Sequence, residues 1–153
     1  MMISKETADE KVKGGWIRAW MAFEAFAANN ETVDKSLGSL LNRLEDLEAL
    51  KVYKKELTEP KRVENPFPQA PKIKEAFSRT CSIEVVVKKF KDLSDIVINF
   101  GPSAVEILEP KKLMLEAGEA QNVLNGIADM MHRFVMSGLG GALLIHGKAE
   151  GKN

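Results

Sequence analysis

The stretch Trp16–Ala25, WIRAWMAFEA, sorts its side chains into two sets of opposite character. Ile17, Ala19, Met21, Phe23 and Ala25 make an apolar face; Trp16, Arg18, Trp20, Ala22 and Glu24 make a mixed one. Alternation with a period of two marks a strand whose faces meet different surroundings. Such a strand needs a layer against its apolar side, and the residues that follow supply one. An Asn in Asn29-Asn30-Glu31 suits a helix cap, and Glu31 suits the positive end of the helix dipole. Val33, Leu37, Leu40, Leu41, Leu44 and Leu47 then recur at threes and fours, which predicts an amphipathic helix with a leucine stripe.

A second strand is expected over Leu50–Glu59, with Val52, Tyr53 and Leu57 as its apolar members. Its alternation is imperfect, as on an edge strand, and Pro60 ends it. Residues 60–75 hold four of the six prolines and read as an extended, mobile linker. In the third strand Phe77, Cys81, Ile83, Val85 and Val87 share one side; Ser78, Thr80, Ser82, Glu84 and Val86 share the other. A short helix opens near Lys91-Asp92, faces inward with Leu93, Ile96, Val97 and Phe100, and stops at Gly101-Pro102. Ala104–Glu109 forms a fourth strand and Ala117–Met136 a third helix, whose apolar face runs from Ala120 to Phe134. Residues 1–15 are polar and read as a flexible arm, and residues 137–153 as a glycine-rich flexible tail.

The order strand-helix-strand thus occurs twice, over 16–60 and 76–112. Glu56-Leu57-Thr58-Glu59-Pro60-Lys61 and Glu106-Ile107-Leu108-Glu109-Pro110-Lys111 are near copies that close the two halves. Two such units with right-handed crossovers give an α+β, ferredoxin-like βαββαβ antiparallel four-stranded sheet, here with a C-terminal helix added. Residues 16–136 are read as one domain of this kind. Strands one and three are then central, with four beside one and two beside three. The chain resembles this fold class, which includes ACT-type regulatory and RNA-recognition domains. It is also similar to a family of small uncharacterised archaeal proteins that end their last strand in a PS-x-VE-I-x-EP pattern. Here that pattern is Pro102-Ser103-Ala104-Val105-Glu106-Ile107-Leu108-Glu109-Pro110. The resemblance covers most of residues 16–134 and implies no particular activity.

With Lys+Arg and Asp+Glu equal at 22 each, no overall field draws the chain to nucleic acid or an anionic membrane. One cysteine, Cys81, rules out an intrachain disulfide and a thiolate metal cage; on the inward face it is expected to be an inert thiol. The opening residues lack the apolar core of a signal peptide, and no apolar run approaches the roughly 20 residues that span a bilayer. A cytoplasmic location is expected.

Two helices on one side of the sheet leave the other side showing Trp16, Arg18, Trp20, Glu24, Thr80, Ser82, Glu84 and Glu106. Tryptophans of roughly 150–250 Å² call for a cover, either the third helix or a second copy. With the strands in step, Glu106, Glu24 and Glu84 stand in one row, neighbours ~4.8 Å apart. Such carboxylates need a cation, an arginine or a raised pKa, and His132 on the third helix is a further member of the set. This yields two expectations from different classes. The first is a non-enzymatic interaction or small-ligand regulatory module, homodimeric or partner-binding through the face with Trp16, Arg18, Trp20, Thr80 and Ser82. The alternative is a divalent-metal or acid-base enzyme using Glu24, Glu84, Glu106 and His132. Single-stranded RNA stacking on the tryptophans comes third, since the carboxylates repel phosphate.

Overall fold

The computed structural model describes residues 1–138 and divides the chain into two compact units, Met1–Met114 and Leu115–Asn153. The first unit contains α1 (Lys5–Lys13), β1 (Ile17–Ala27), α2 (Asn30–Glu45), β2 (Leu50–Leu57), β3 (Lys61–Glu64), β4 (Glu75–Val87), α3 (Phe90–Phe100) and β5 (Ala104–Glu109). The second contains α4 (Ala117–Met136). The glycine-rich tail beyond Gly138 lies outside the described residues.

The sheet of the first unit has five strands, all antiparallel, ordered β2-β4-β1-β5, with β3 also paired to β4. β4 is the longest at 13 residues. β1 runs along one of its edges from Ile17 opposite Val87 to Ala27 opposite Phe77. On the other edge β2 covers β4 only down to Cys81. Main-chain groups of β4 beyond that point need partners of their own, and β3 supplies them, pairing Lys61 with Ser78 through Glu64 with Glu75.

The proline-rich stretch is therefore not a linker as its composition suggested. It is a hairpin arm whose loop is closed by Asn65 N–H donating to the Lys74 carbonyl at 2.9 Å. Pro60 marks the break between the two short strands that share this edge.

α2 and α3 lie on the face formed by Ile17, Ala19, Met21 and Phe23 of β1 with Cys81, Ile83, Val85 and Val87 of β4. α2 begins where Asn29 accepts from Thr32 N–H at 2.8 Å, and it buries Val33, Leu37, Leu41 and Leu44. α3 contributes Leu93 and Ile96 and ends at Gly101, whose φ of 59° is the left-handed cap that glycine takes without strain.

The amino terminus differs from its expected flexible arm. Ser4 accepts from Thr7 N–H at 3.1 Å, Glu6 occupies the first turn, and Lys11 and Lys13 the last, so α1 is capped and dipole-matched within a mostly polar composition. Ala8 is fully buried, and Ile3 N–H donates to the Val52 carbonyl at 2.9 Å. α1 packs against β2 and β4 on the face opposite α2 and α3, which explains why Val86, an outward-facing residue, is also fully buried.

Leu44→Ala, which empties a site with no solvent exposure, is expected to lower stability by about 2–5 kcal/mol in urea unfolding. Asn29→Ala, which removes only the cap, is expected to cost about 1 kcal/mol in the same measurement.

Candidate functional site

The face of the sheet away from α2 and α3 carries Arg18, Trp20, Ala22, Glu24 and Phe26 from β1, facing Val86, Glu84, Ser82, Thr80 and Ser78 of β4. The alternation read from the sequence over Trp16–Ala25 and in the third strand thus puts these residues on this side, Phe26 excepted, which lies beyond the stretch read. It does not give their level along the strands. Trp20 stands opposite both Glu84 and Glu106, so the row across the sheet is Glu106–Trp20–Glu84. Glu24 stands opposite Thr80, four residues further along β1 and roughly 13 Å away. The expected row of three glutamates does not exist, because antiparallel pairing fixes which residues face each other and alternation fixes only the side.

The repulsion foreseen among the carboxylates is relieved by groups the sequence reading left unassigned. Between Val52 and Lys54 the register of β2 on β4 shifts, since these residues pair with the consecutive Val85 and Glu84. Tyr53 is the extra residue of this bulge, so two residues of β2 serve one of β4. Both reach the same carboxylate: the Tyr53 hydroxyl donates to Glu84 Oε2 at 2.6 Å, and the Lys54 ammonium to Oε1 at 3.1 Å. Lys54 also lies 3.1 Å from Glu56. The Tyr53 hydrogen bond, opposed by burial and helped by Lys54 and Arg18, holds Glu84 below its ordinary value of 4.5. Burial, and next the bond to Glu84, raise Tyr53 above its ordinary 10.0, against the pull of Arg18.

Arg18 is 9% exposed and organises the neighbouring ground. Its guanidinium bonds Asp9 of α1, lies 3.6 Å from Glu109 of β5 through Nε, and stands 5.1 Å from the centre of the Tyr53 ring. Burial works against its charge, but Tyr53, Asp9 and Glu109 together raise its pKa above the ordinary value. Arg18 therefore ties α1, β2 and β5 to β1. Trp16 sits just before β1, half-buried, with the Lys11 ammonium 4.3 Å over its ring. Thr80 is held by Thr58, whose hydroxyl accepts from Thr80 N–H at 3.1 Å. Ser82 borders a space of 20 Å³ with Trp20, Lys54, Glu56 and Glu84, room for about one water and no ligand.

His132 belongs to α4, where it is exposed beside an Asp129–Arg133 ion pair of 2.9 Å. Among the described residues no group of three or more His, Cys, Asp or Glu side chains is placed to hold a metal ion. Cys81 is fully buried on the α2–α3 side, and burial pushes its thiol pKa up.

At the far end of the outer face the surface turns apolar. Phe26 is 46% and Phe67 38% exposed, their ring centres 6.4 Å apart, with Ile73 exposed in the same hairpin loop. A separate cleft of 310 Å³ opens on the first unit between the α2–β2 turn and α3. Leu47, Ala49, Ile96 and Phe100 line it, with Glu48, Asp92, Asp95 and Asn99 among its polar residues. No candidate residue from the sequence reading lies there.

The sequence pattern of the MJ0538 family matches residues 18–146. The chain belongs to the MJ0538 family. The match begins at the second residue of β1 and leaves α1 outside it. Neither a curated protein nor a solved structure matches the chain. Among the described residues no helix is long and apolar enough to cross a membrane.

The Tyr53–Glu84 bond gives a pH signature. A carboxylate with a depressed pKa contributes stability that is full above its ordinary value and is lost as pH falls toward its folded value. Tyr53→Phe is expected to lower stability at pH 7 by about 1 kcal/mol, a partly solvated charge-assisted bond. The wild-type and Tyr53→Phe unfolding free energies are expected to converge below the ordinary Glu84 pKa of 4.5. A gap between them that is unchanged at pH 3 would assign the loss to packing instead.

Proposed function

We propose that this protein is a non-enzymatic interaction module, built on a ferredoxin-like frame, that docks a protein partner or a second copy against the outer face of its sheet. The strand order β2-β4-β1-β5, with α2 and α3 on one side, supports that frame if β3 is taken as a continuation of the β2 edge. The observation that carries the binding reading is the composition of the outer face. Aromatic surface at Phe26 and Phe67, 46% and 38% exposed, occupies one end of the face, and a half-buried Trp20 with the fixed polar groups of Arg18, Tyr53 and Glu84 lies toward the other. An exposed aromatic patch on a face that also carries ordered polar groups suits a docking surface. The charges on this face do not favour phosphate, because Glu24, Glu84 and Glu106 outnumber Arg18 and Lys54.

A small-ligand regulatory role has a different seat, the 310 Å³ cleft between the α2–β2 turn and α3. Its size is at the lower end of small-molecule sites, and its apolar wall with a few polar residues is their usual lining.

The docking reading is tested with a photo-crosslinking phenylalanine analogue placed at Phe26, and at Ser39 on exposed α2 as the control. A discrete adduct at position 26 and none at 39 is the expected outcome. Equal or no labelling at the two positions removes the proposal. Phe26→Glu is expected to abolish that contact while changing stability by no more than about 0.5 kcal/mol, as for an exposed substitution.

A further inference from the structure

α4 buries none of its residues, although one side of it is apolar over roughly 21 Å, from Ala120 to Phe134. Leu124, Ile127, Met131 and Phe134 are 66%, 44%, 48% and 45% exposed. The spacing of this stripe is symmetric about Ile127. Leu124, Val123 and Ala120 precede it by three, four and seven residues, and Met130, Met131 and Phe134 follow it at the same intervals. A stripe that reads the same in both directions is compatible with an antiparallel helix pair on a two-fold axis, in which each position meets its mirror position on the other helix.

We propose that α4 joins two copies of this chain, the helices lying antiparallel with Ile127 against Ile127 of the second copy. The axis then sets Ala120 beside Phe134 of the second copy, small against large, with Val123 beside Met131 and Leu124 beside Met130. Facing volumes that alternate in this way pack without voids. The ends agree as well. The first turn of α4 is acidic through Glu119 and the last turn basic through Arg133, so an antiparallel pair sets unlike charges and opposed helix dipoles together. A parallel pair would set like ends together. Gln121 falls within one residue of the level of His132 of the second copy, on the same flank of the stripe. This pairing is independent of the outer sheet face.

The test uses the full chain. Light scattering is expected to give a dimer for the wild type and half that mass for Ile127→Glu, a substitution at a position 44% exposed. Cys81 is fully buried and gives little background, so single cysteines report orientation. Ile127→Cys is expected to form a disulfide-linked dimer under mild oxidation and Ala120→Cys alone is not, whereas an equimolar mix of Ala120→Cys and Phe134→Cys links into a mixed dimer. A monomeric wild type overturns the proposal. So does self-linking of Ala120→Cys, which marks a parallel pair. A dimer that survives Ile127→Glu but is lost in Phe26→Glu also overturns it and assigns self-association to the sheet face.

Discussion

The pairing of β1 with β4 is the constraint on which the first unit depends. Its register runs unbroken from Ile17 opposite Val87 to Ala27 opposite Phe77. β5 attaches to the outer edge of β1, while β2 and β3 attach to β4. The floor on which α2 and α3 rest consists of alternate residues of the central pair. A slip by one residue would turn every side chain of the displaced strand over, exposing Met21 and Phe23 and driving Arg18 and Trp20 into the core. Burying an arginine there without its partners is costly enough to hold the register in place.

The same pair produces a second face with two characters. At the end where β1 begins, α1 covers it, Val86 loses all contact with solvent, and Arg18 gathers Asp9, Glu109 and Tyr53 around one charge. At the end where the hairpin arm begins, phenylalanines stand open. The polar groups between them belong to a structural network before they belong to any chemistry. Glu84, offered by the sequence as a possible acid or ligand, spends both oxygens on Tyr53 and Lys54. A carboxylate so engaged, with its pKa lowered, is poorly suited to accept or relay a proton near neutral pH.

Which parts of this were legible in the sequence follows from what each signal measures. The two-sidedness of β1 and β4, the leucine stripe of α2, an asparagine cap before it (Asn29 of the two offered) and the stop at Gly101 are local patterns that the structure has. α4 spans Ala117–Met136 and β5 spans Ala104–Glu109, the ranges their periodicity gave. Register is a relation between distant segments, so nothing near Glu24 told that it faces Thr80 instead of sharing a row with Glu84. The β2 bulge left only a trace, the broken alternation around Tyr53, and its effect of aiming two donors at one oxygen pair needs the partner strand to be seen. α1 and β3 were hidden by composition. A mostly polar nonapeptide and a proline-rich stretch read as irregular until the contacts that hold them are known: α1 against β2 and β4 with Ala8 buried, and Lys61 beside Ser78.

The succession of β2 and β3 along one border of the sheet bears on solubility. A single strand of 13 residues there, matching β4, would offer a long row of unpaired amides to any unfolded or neighbouring chain. Instead the border is cut at Pro60 into lengths of eight and four residues, and Lys54, Lys55, Lys61 and Arg62 crowd both pieces with cations. Short, charged and interrupted margins are how sheets avoid growing by accretion. The segment that looks least structured in the primary sequence thus shortens the open margin of the sheet.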